Sequence, residues 1–462
     1  MCATLRAADT IVATATAPGR SAIALVRLSG RDAVSLARLV VTPFAATTRT
    51  ATLCHLHSPR DSARVIDQGL VTWFAGPASY TGEDVVEFAV HGGPLVCTLV
   101  VEACIAAGAR PALPGEFTER AVVNGKLDLV QAEAVADLID ARSRAAHRAA
   151  VRQLDGALSR RLTALRDALL HVDALLAYDI DFPAEDEAPP NIARVLAACD
   201  DAITQVRRLL ATLPAAALGR DGALVVLAGP PNAGKSALLN ALLGEARVIV
   251  SETPGTTRDA VEVLVDDSPY PLRLVDTAGL HTHGDALERL GIEVSERYVA
   301  QAHVVLVCAE SEEALDRAAN AVRAITRGAV LQVLTKVDIR RTEDLQANAQ
   351  KEYTATAPLR VSALTGEGLE HLRTAIRAMV VAHTEIPDDE TPLITRARHE
   401  TALRRASDEL SAFRDTWAAG TLPAPVAATH LRAAVTALET LIGAVDVEDV
   451  LEHVFRTFCI GK

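Results

Sequence analysis

Eight consecutive residues carry the most legible chemistry of the chain: Gly229-Pro230-Pro231-Asn232-Ala233-Gly234-Lys235-Ser236. The glycines let successive backbone N–H groups turn toward a polyphosphate, Lys235 can reach its outer phosphates, and the Ser236 hydroxyl can ligate Mg²⁺. Asn232, Ala233, Gly234, Lys235, Ser236 and Ala237 are therefore candidate nucleotide contacts. Further stretches follow in an order that suits a guanine nucleotide. In Ser251-Glu252-Thr253-Pro254-Gly255-Thr256-Thr257, the Thr257 hydroxyl can complete Mg²⁺ coordination when a γ-phosphate is present. In Asp276-Thr277-Ala278-Gly279, Asp276 can hold a metal-bound water and the Gly279 N–H can sense the γ-phosphate. In Thr335-Lys336-Val337-Asp338, the Asp338 carboxylate can accept both N–H groups of the guanine edge, which adenine does not offer as a pair. Ser362-Ala363-Leu364 closes over the base.

Two departures bear on mechanism. Thr335 stands where GTP-binding proteins usually carry Asn, whose amide ties the base loop to the phosphate loop. A hydroxyl donates one hydrogen bond, so guanine preference survives and affinity falls. Leu280 stands where Ras-like proteins carry the Gln that orients the attacking water. Glu288 is a carboxylate close enough in sequence to replace it; its other reading is an exposed helix carboxylate. The Asn232 amide oxygen can hold a monovalent cation that neutralises transition-state charge in place of an arginine.

These loops need strand ends to sit on. The apolar runs Ala223–Ala228, Val261–Val265, Leu272–Val275, Val304–Cys308, Val330–Leu334 and Leu359–Val361 read as strands alternating with helices, hence a doubly wound, mostly parallel sheet. Residues 266–269 make the turn between the second and third strands. Helical periodicity marks Leu127–Asp140, Ala149–Ala177, Ile192–Leu213, Ile394–Ala418 and Ala427–Leu441, interrupted by an acidic loop, Phe182–Pro190, and a linker, Ile386–Glu390. The segment before residue 120 reads as a small α+β domain: a hairpin of Ile11–Thr16 and Ala22–Arg27, a helix over Arg31–Val40, strands near Gly69–Phe74 and Asp84–Ala89, and a helix over Leu95–Ala107. Tyr80–Asp84 and Pro114–Arg120 read as loops.

The chain has 462 residues, half of them hydrophobic, with 46 basic against 59 acidic side chains and a net charge of −13. That length implies two or three domains. That charge excludes non-specific nucleic-acid binding by the whole surface and leaves RNA contact to a local patch or to a partner; no basic stripe is evident in the sequence. Seven scattered cysteines without C-x-x-C spacing point to a reducing compartment and away from zinc. No apolar run reaches bilayer length, so a cytoplasmic protein with no membrane contact is expected.

The P-N-A-G-K-S loop, Gly255-Thr256-Thr257-Arg258-Asp259, Asp276-Thr277-Ala278-Gly279-Leu280 with a downstream E-R-x-G-I, and the ending Phe458-Cys459-Ile460-Gly461-Lys462 resemble the MnmE (TrmE) family of bacterial tRNA modification GTPases. The likeness extends to Pro18-Gly19-Arg20, Thr81–Asp84, His91–Pro94, Pro114–Phe117 and Lys126–Leu129. It implies a multidomain fold: an N-terminal α+β folate-binding and dimerisation domain (1–122), a discontinuous α-helical domain (123–217 and 383–462), and an inserted Ras-like α/β P-loop GTPase domain (218–382). A reduced one-carbon tetrahydrofolate would contact Arg27, Glu87, Lys126 and Lys462, with the Cys459 thiol nearby. K⁺ would be held by Asn232, Ser251, Thr253 and Thr256, and Glu288 would position water. The resemblance also implies a homodimer and a flavoprotein partner, MnmG, carrying FAD and much of the tRNA contact. Together they would install an aminomethyl or carboxymethylaminomethyl group at carbon 5 of the wobble uridine. A ribosome-assembly GTPase and a non-catalytic folate-binding scaffold are the competing readings. A prenylation box at Cys459 is disfavoured by Gly461 and the terminal Lys462.

Overall fold

The computed structural model describes residues 9–181, 192–244, 247–249, 261–267, 269–276, 295–339, 357–382, 391–419, 423–443, 454–455, 458–459 and 461. Two compact units divide the chain: Met1–Ala136 with Leu154–Asp181 and Ala428–Lys462, and Asp137–Gln153 with Phe182–Ala427. The acidic interruption and the linker lie outside the described residues, as does Ser268 of the 266–269 turn.

The first unit holds strands β1 (Ile11–Thr14), β2 (Ile23–Ser29), β3 (Val41–Thr42), β4 (Thr52–Ser58), β5 (Asp61–Phe74), β6 (Val85–His91) and β7 (Arg110–Pro111) in one sheet of order β3-β4-β5-β6-β2-β1-β7. Alternate residues Val26, Leu28, Phe88 and Val90 pack with the helices Ala33–Arg38 and Pro94–Ala107, as the period of two requires. The β1–β2 hairpin forms antiparallel, as expected. β4 and the part of β5 before Gly69 were not expected, because His55, His57, Arg64 and Asp67 mask their alternation and the pairing shifts register at His57. Gly69 lets β5 approach β6: a Cβ there would lie 2.4 Å from the Ala89 carbonyl oxygen.

One expectation is overturned here. Pro114–Arg120 is not a loop: residues Glu116–Val123 form a helix with Glu116, Phe117, Thr118 and Arg120 buried. Its polar side chains find partners in the other polar stretch, which local sequence does not reveal. The Ala149–Ala177 periodicity is likewise broken, into helices Arg144–Leu154 and Ala157–Asp181, at Gly156 with φ +79°. After these helices, Val454, Phe455 and Phe458 return to pack on Leu129, Ala132 and Val135.

The second unit contains β8 (Ala223–Ala228), β9 (Arg247–Ile249), β10 (Val261–Asp266), β11 (Leu272–Asp276), β12 (Val304–Ala309), β13 (Ala329–Leu334) and β14 (Leu359–Arg360), ordered β14-β13-β12-β8-β11-β10-β9. β8 and β12 are buried along their whole length, which is why they read as unbroken apolar runs. One face packs on the helices Lys235–Gly244 and Leu369–Ala382 through Leu238, Leu242, Leu372 and Ile376. The other packs on the helix Glu312–Arg323 through Leu315 and Ala319. β10 runs antiparallel to β11, the expected hairpin, and β9 adds an edge strand that sequence reading missed. The expected helix Ile192–Leu213 ends at Leu210, and a second spans Leu213–Asp221. Between them the Thr212 hydroxyl donates to the Leu209 carbonyl at 2.7 Å and accepts from the Ile394 N–H at 3.0 Å. The later helix Ala397–Ala419 packs on Ile192–Leu210, with Arg414 Nε 2.5 Å from Asp200 Oδ1.

Candidate functional site

The loop from Gly229 to Gly234 joins the end of β8 to the start of the helix Lys235–Gly244, so its amides sit where strand end and helix N-terminus meet. Gly229 has φ +140°, and a Cβ there would lie 2.1 Å from the Cys308 carbonyl oxygen of β12. Only glycine lets the loop leave the sheet at that point. Asn232 and Gly234 also adopt positive φ, +62° and +77°. Lys235 is buried and curls over the loop, donating from Nζ to the carbonyls of Gly229 and Pro230, both at 2.9 Å. Burial pushes its ammonium below the usual lysine range, partly offset by the Asp276 carboxylate. An incoming polyphosphate would replace those carbonyls with a stronger, oppositely charged partner.

Ser236 and Asp276 meet: the Ser236 hydroxyl donates to Asp276 Oδ2 at 2.5 Å, and Asp276 is buried at the end of β11. A hydroxyl oxygen and a carboxylate converging beside the phosphate loop are the hard oxygen donors Mg²⁺ prefers. The base end is built from Thr335, Lys336 and Asp338 after β13 and from residues 361–364 after β14. Thr335, Lys336, Asp338, Val361, Ala363 and Leu364 line an open cavity of about 110 Å³ together with residues of the phosphate loop and its helix. Ser362 orients the Asp338 carboxylate by donating to Oδ1 at 2.6 Å.

Thr335 does tie base loop to phosphate loop. Its buried hydroxyl lies 2.8 Å from the Ala233 carbonyl oxygen and 3.1 Å from that of Ala309. Lys336 adds a second tie, donating to the Asn232 carbonyl at 2.9 Å while its Nζ lies 2.5 Å from Glu310 Oε1. Glu310 was missed in sequence; its signal is its position directly after β12. Val337 is buried and Leu364 exposed. Ser251, Glu252, Thr253, Pro254, Gly255, Thr256, Thr257, Thr277, Ala278, Gly279, Leu280, Glu288 and Lys462 lie outside the described residues.

In the first unit, Arg27 of β2 and Glu87 of β6 are cross-strand partners, joined at 2.8 Å. The Arg27 guanidinium lies 5.4 Å from the Tyr80 ring centre and 5.7 Å from that of Phe117. Tyr80 shares a hydrogen bond of 2.8 Å with Thr118. Lys126 reaches the same loop, donating to the Pro77 carbonyl at 3.0 Å. Tyr80, Phe117 and Thr118 were not singled out in sequence; an aromatic inside each of two polar stretches was the available signal. The Cys459 carbonyl accepts from the Gly115 N–H at 3.4 Å, leaving its thiol exposed. Gly461 fits against β1, where a Cβ would lie 2.3 Å from the Thr14 carbonyl oxygen. Gly461 thus lies beside the strand that flanks β2. Among the described residues no cluster of three or more Cys, His, Asp or Glu side chains could hold a metal, and no helix is long and apolar enough to cross a membrane.

Comparison with known proteins bears on the whole chain. The family described as GTP-binding protein TrmE N-terminus matches residues 10–126, and the MnmE helical domain family matches residues 129–459. A tRNA modification GTPase MnmE from Azoarcus sp. is 41% identical over 99% of this chain and 99% of its own length. The proteins of that name from Neisseria meningitidis and Aquifex aeolicus are 39% and 38% identical over 98% of this chain, covering 99% and 100% of theirs. With the N-terminal sheet, the helical segments and the phosphate loop all accounted for along one continuous match, the chain belongs to the MnmE family of tRNA modification GTPases.

Proposed function

We propose that this chain hydrolyses GTP at the loops around Lys235 and Asp338 and spends the conformational consequence on tRNA modification. The observation that carries the reading is the phosphate loop, with Ser236 on Asp276 at 2.5 Å and Asp338 set by Ser362 at 2.6 Å, in a chain that matches its relatives from end to end. Backbone amides of residues 229–236 and Lys235 bind and orient the polyphosphate. The Asp338 carboxylate selects guanine. Mg²⁺, held by Ser236 and Thr257 with Asp276 behind them, supplies neutralisation of phosphate charge. Glu288 orients the attacking water in place of the Gln that Leu280 replaces, and Asn232 with Ser251, Thr253 and Thr256 holds K⁺.

The finer reading extends to the N-terminal unit. Arg27 and Glu87, backed by Tyr80 and Phe117, form a donor and acceptor pair suited to a planar heterocycle, and Lys126 with Lys462 suits the carboxylates of a reduced one-carbon tetrahydrofolate. Cys459 lies close to that site. The chain works as a homodimer with an FAD-carrying MnmG flavoprotein on the wobble uridine of tRNA, in the cytoplasm. The test is mass spectrometry of wobble uridines in a strain lacking the gene, complemented with the native chain or with Glu288→Ala. The native chain restores carbon-5 modification, and the variant binds GTP but lowers turnover and modification at least 100-fold (order of magnitude). Unchanged wobble nucleosides in the deletion strain, with the chain instead co-sedimenting with ribosomal subunits, would sink the reading.

A further inference from the structure

The chain is acidic overall, yet residues 141–153 carry Arg142, Arg144, His147, Arg148 and Arg152 with no Asp or Glu among them. Arg144, Arg148 and Arg152 are spaced by four residues on the helix Arg144–Leu154, one turn apart and about 6 Å from one to the next. Ala150 and Gln153 are buried, whereas Arg142, Arg144, His147 and Arg148 are exposed. The opposite side is anchored. Ser143 donates to the Gly219 carbonyl at 2.7 Å and accepts from the Ala146 N–H at 3.0 Å, capping the helix start. Arg144 lies 3.4 Å from Asp266 of β10 with 69% of its side chain still exposed. A cation in the first turn of a helix opposes the helix dipole, so Arg144 is placed against local preference. The helix is held at its start by Ser143, carries positive side chains in a negative molecule, and contains no Phe, Tyr or Trp for stacking on bases.

We propose that this helix face binds the phosphodiester backbone of tRNA. The inference rests on the tRNA reading above and names the surface that lets an acidic chain contact an acidic substrate. Guanidinium groups one helical turn apart contact phosphates without reading sequence, so the surface positions the RNA rather than selecting it. Asp266 marks the end of the β10–β11 ribbon opposite Asp276, so the patch is remote from the nucleotide loops.

The experiment is fluorescence anisotropy of labelled tRNA with the full chain and with Arg144→Gln/Arg148→Gln, titrated across salt concentration. The double variant is expected to bind roughly tenfold more weakly at low salt, and the slope of log affinity against log salt should flatten by about 2. Arg144→Lys/Arg148→Lys should restore most of the slope, and GTP turnover without tRNA should match the native chain in both variants. Equal affinity and slope in the native and glutamine proteins would overturn the surface, as would loss of an acidic protein partner with tRNA binding intact. Wobble-uridine analysis of the deletion strain judges the functional reading separately, so either can fail alone.

Discussion

Thr335 shows how one side chain can keep a structural role with fewer hydrogen bonds. Its hydroxyl carries one proton and faces two carbonyl oxygens, those of Ala233 at 2.8 Å and Ala309 at 3.1 Å, so it can donate fully to one at a time. The base loop is thereby tied to the phosphate loop, and the second tie through Lys336 and the Asn232 carbonyl, at 2.9 Å, shares the task. Thr335→Val keeps the shape and removes the donor, leaving a buried carbonyl without that partner. The expected cost is about 1–2 kcal/mol of nucleotide affinity, roughly a five- to thirtyfold faster GDP release. Stopped-flow release of a fluorescent GDP analogue measures it, and Thr335→Ser should release at the native rate. Equal release from the Val variant would show that Lys336 alone holds the loops together.

The two polar stretches of the N-terminal unit become intelligible only as paired elements. Glu116, at the start of the helix Glu116–Val123, receives Arg110 Nη1 and Nη2 at 2.9 and 2.6 Å, the Leu113 N–H at 2.9 Å, and Arg120 Nη2 at 3.1 Å. Arg120 also donates to Glu83 Oε2 at 3.0 Å, and Ser29 donates to the same oxygen at 2.8 Å. This cluster locks the Tyr80 loop against the helix that carries Phe117, and so sets the two rings beside Arg27. Burial pushes the Glu116 carboxyl up, but its hydrogen bonds and the charges of Arg110 and Arg120 outweigh that and hold it below the ordinary value of 4.5. Its contribution to stability is therefore complete above that value and is lost as pH falls through the lower folded one. Glu116→Gln should lose about 3 kcal/mol at neutral pH, because two arginines keep their burial and lose their anion. Thermal unfolding from pH 7 to pH 3 checks this: the native chain should lose its advantage over the variant in the acid range. A gap between the two that stayed constant down to pH 3 would show that shape, not charge, is what the variant damages.

At the scale of the molecule, two discontinuous units share one chain. The helix Ala397–Ala419 rejoins Ile192–Leu210 in one, and Val454, Phe455 and Phe458 rejoin Leu129, Ala132 and Val135 in the other. Such long-range returns raise the contact order, which slows folding. The described nucleotide loops follow β8, β13 and β14, and Asp276 ends β11, so they share the carboxyl edge at which open α/β sheets bind ligands. If two copies meet there with K⁺ at Asn232, GTP turnover per chain should rise with protein concentration in K⁺ and stay flat and low in Na⁺. Turnover per chain that is independent of both would count against the dimeric, K⁺-assisted proposal.

The chain's own residues determined the phosphate loop, the strand–helix alternation of the second unit and the hairpin of β10 and β11. Those signals are local: a buried parallel strand must be apolar throughout, and a phosphate loop needs glycine where a Cβ would strike the neighbouring strand, as at Gly229. Tertiary structure alone decided that Pro114–Arg120 is largely helix and that His55 and Asp67 belong to paired strands. It also set Thr335 between two carbonyls and gathered the arginines of residues 142–148 on an exposed surface. In each case the deciding partner is distant in sequence. A buried carboxylate, a masked alternation or a patch of charge acquires its meaning from groups the folded chain places against it or leaves open to water.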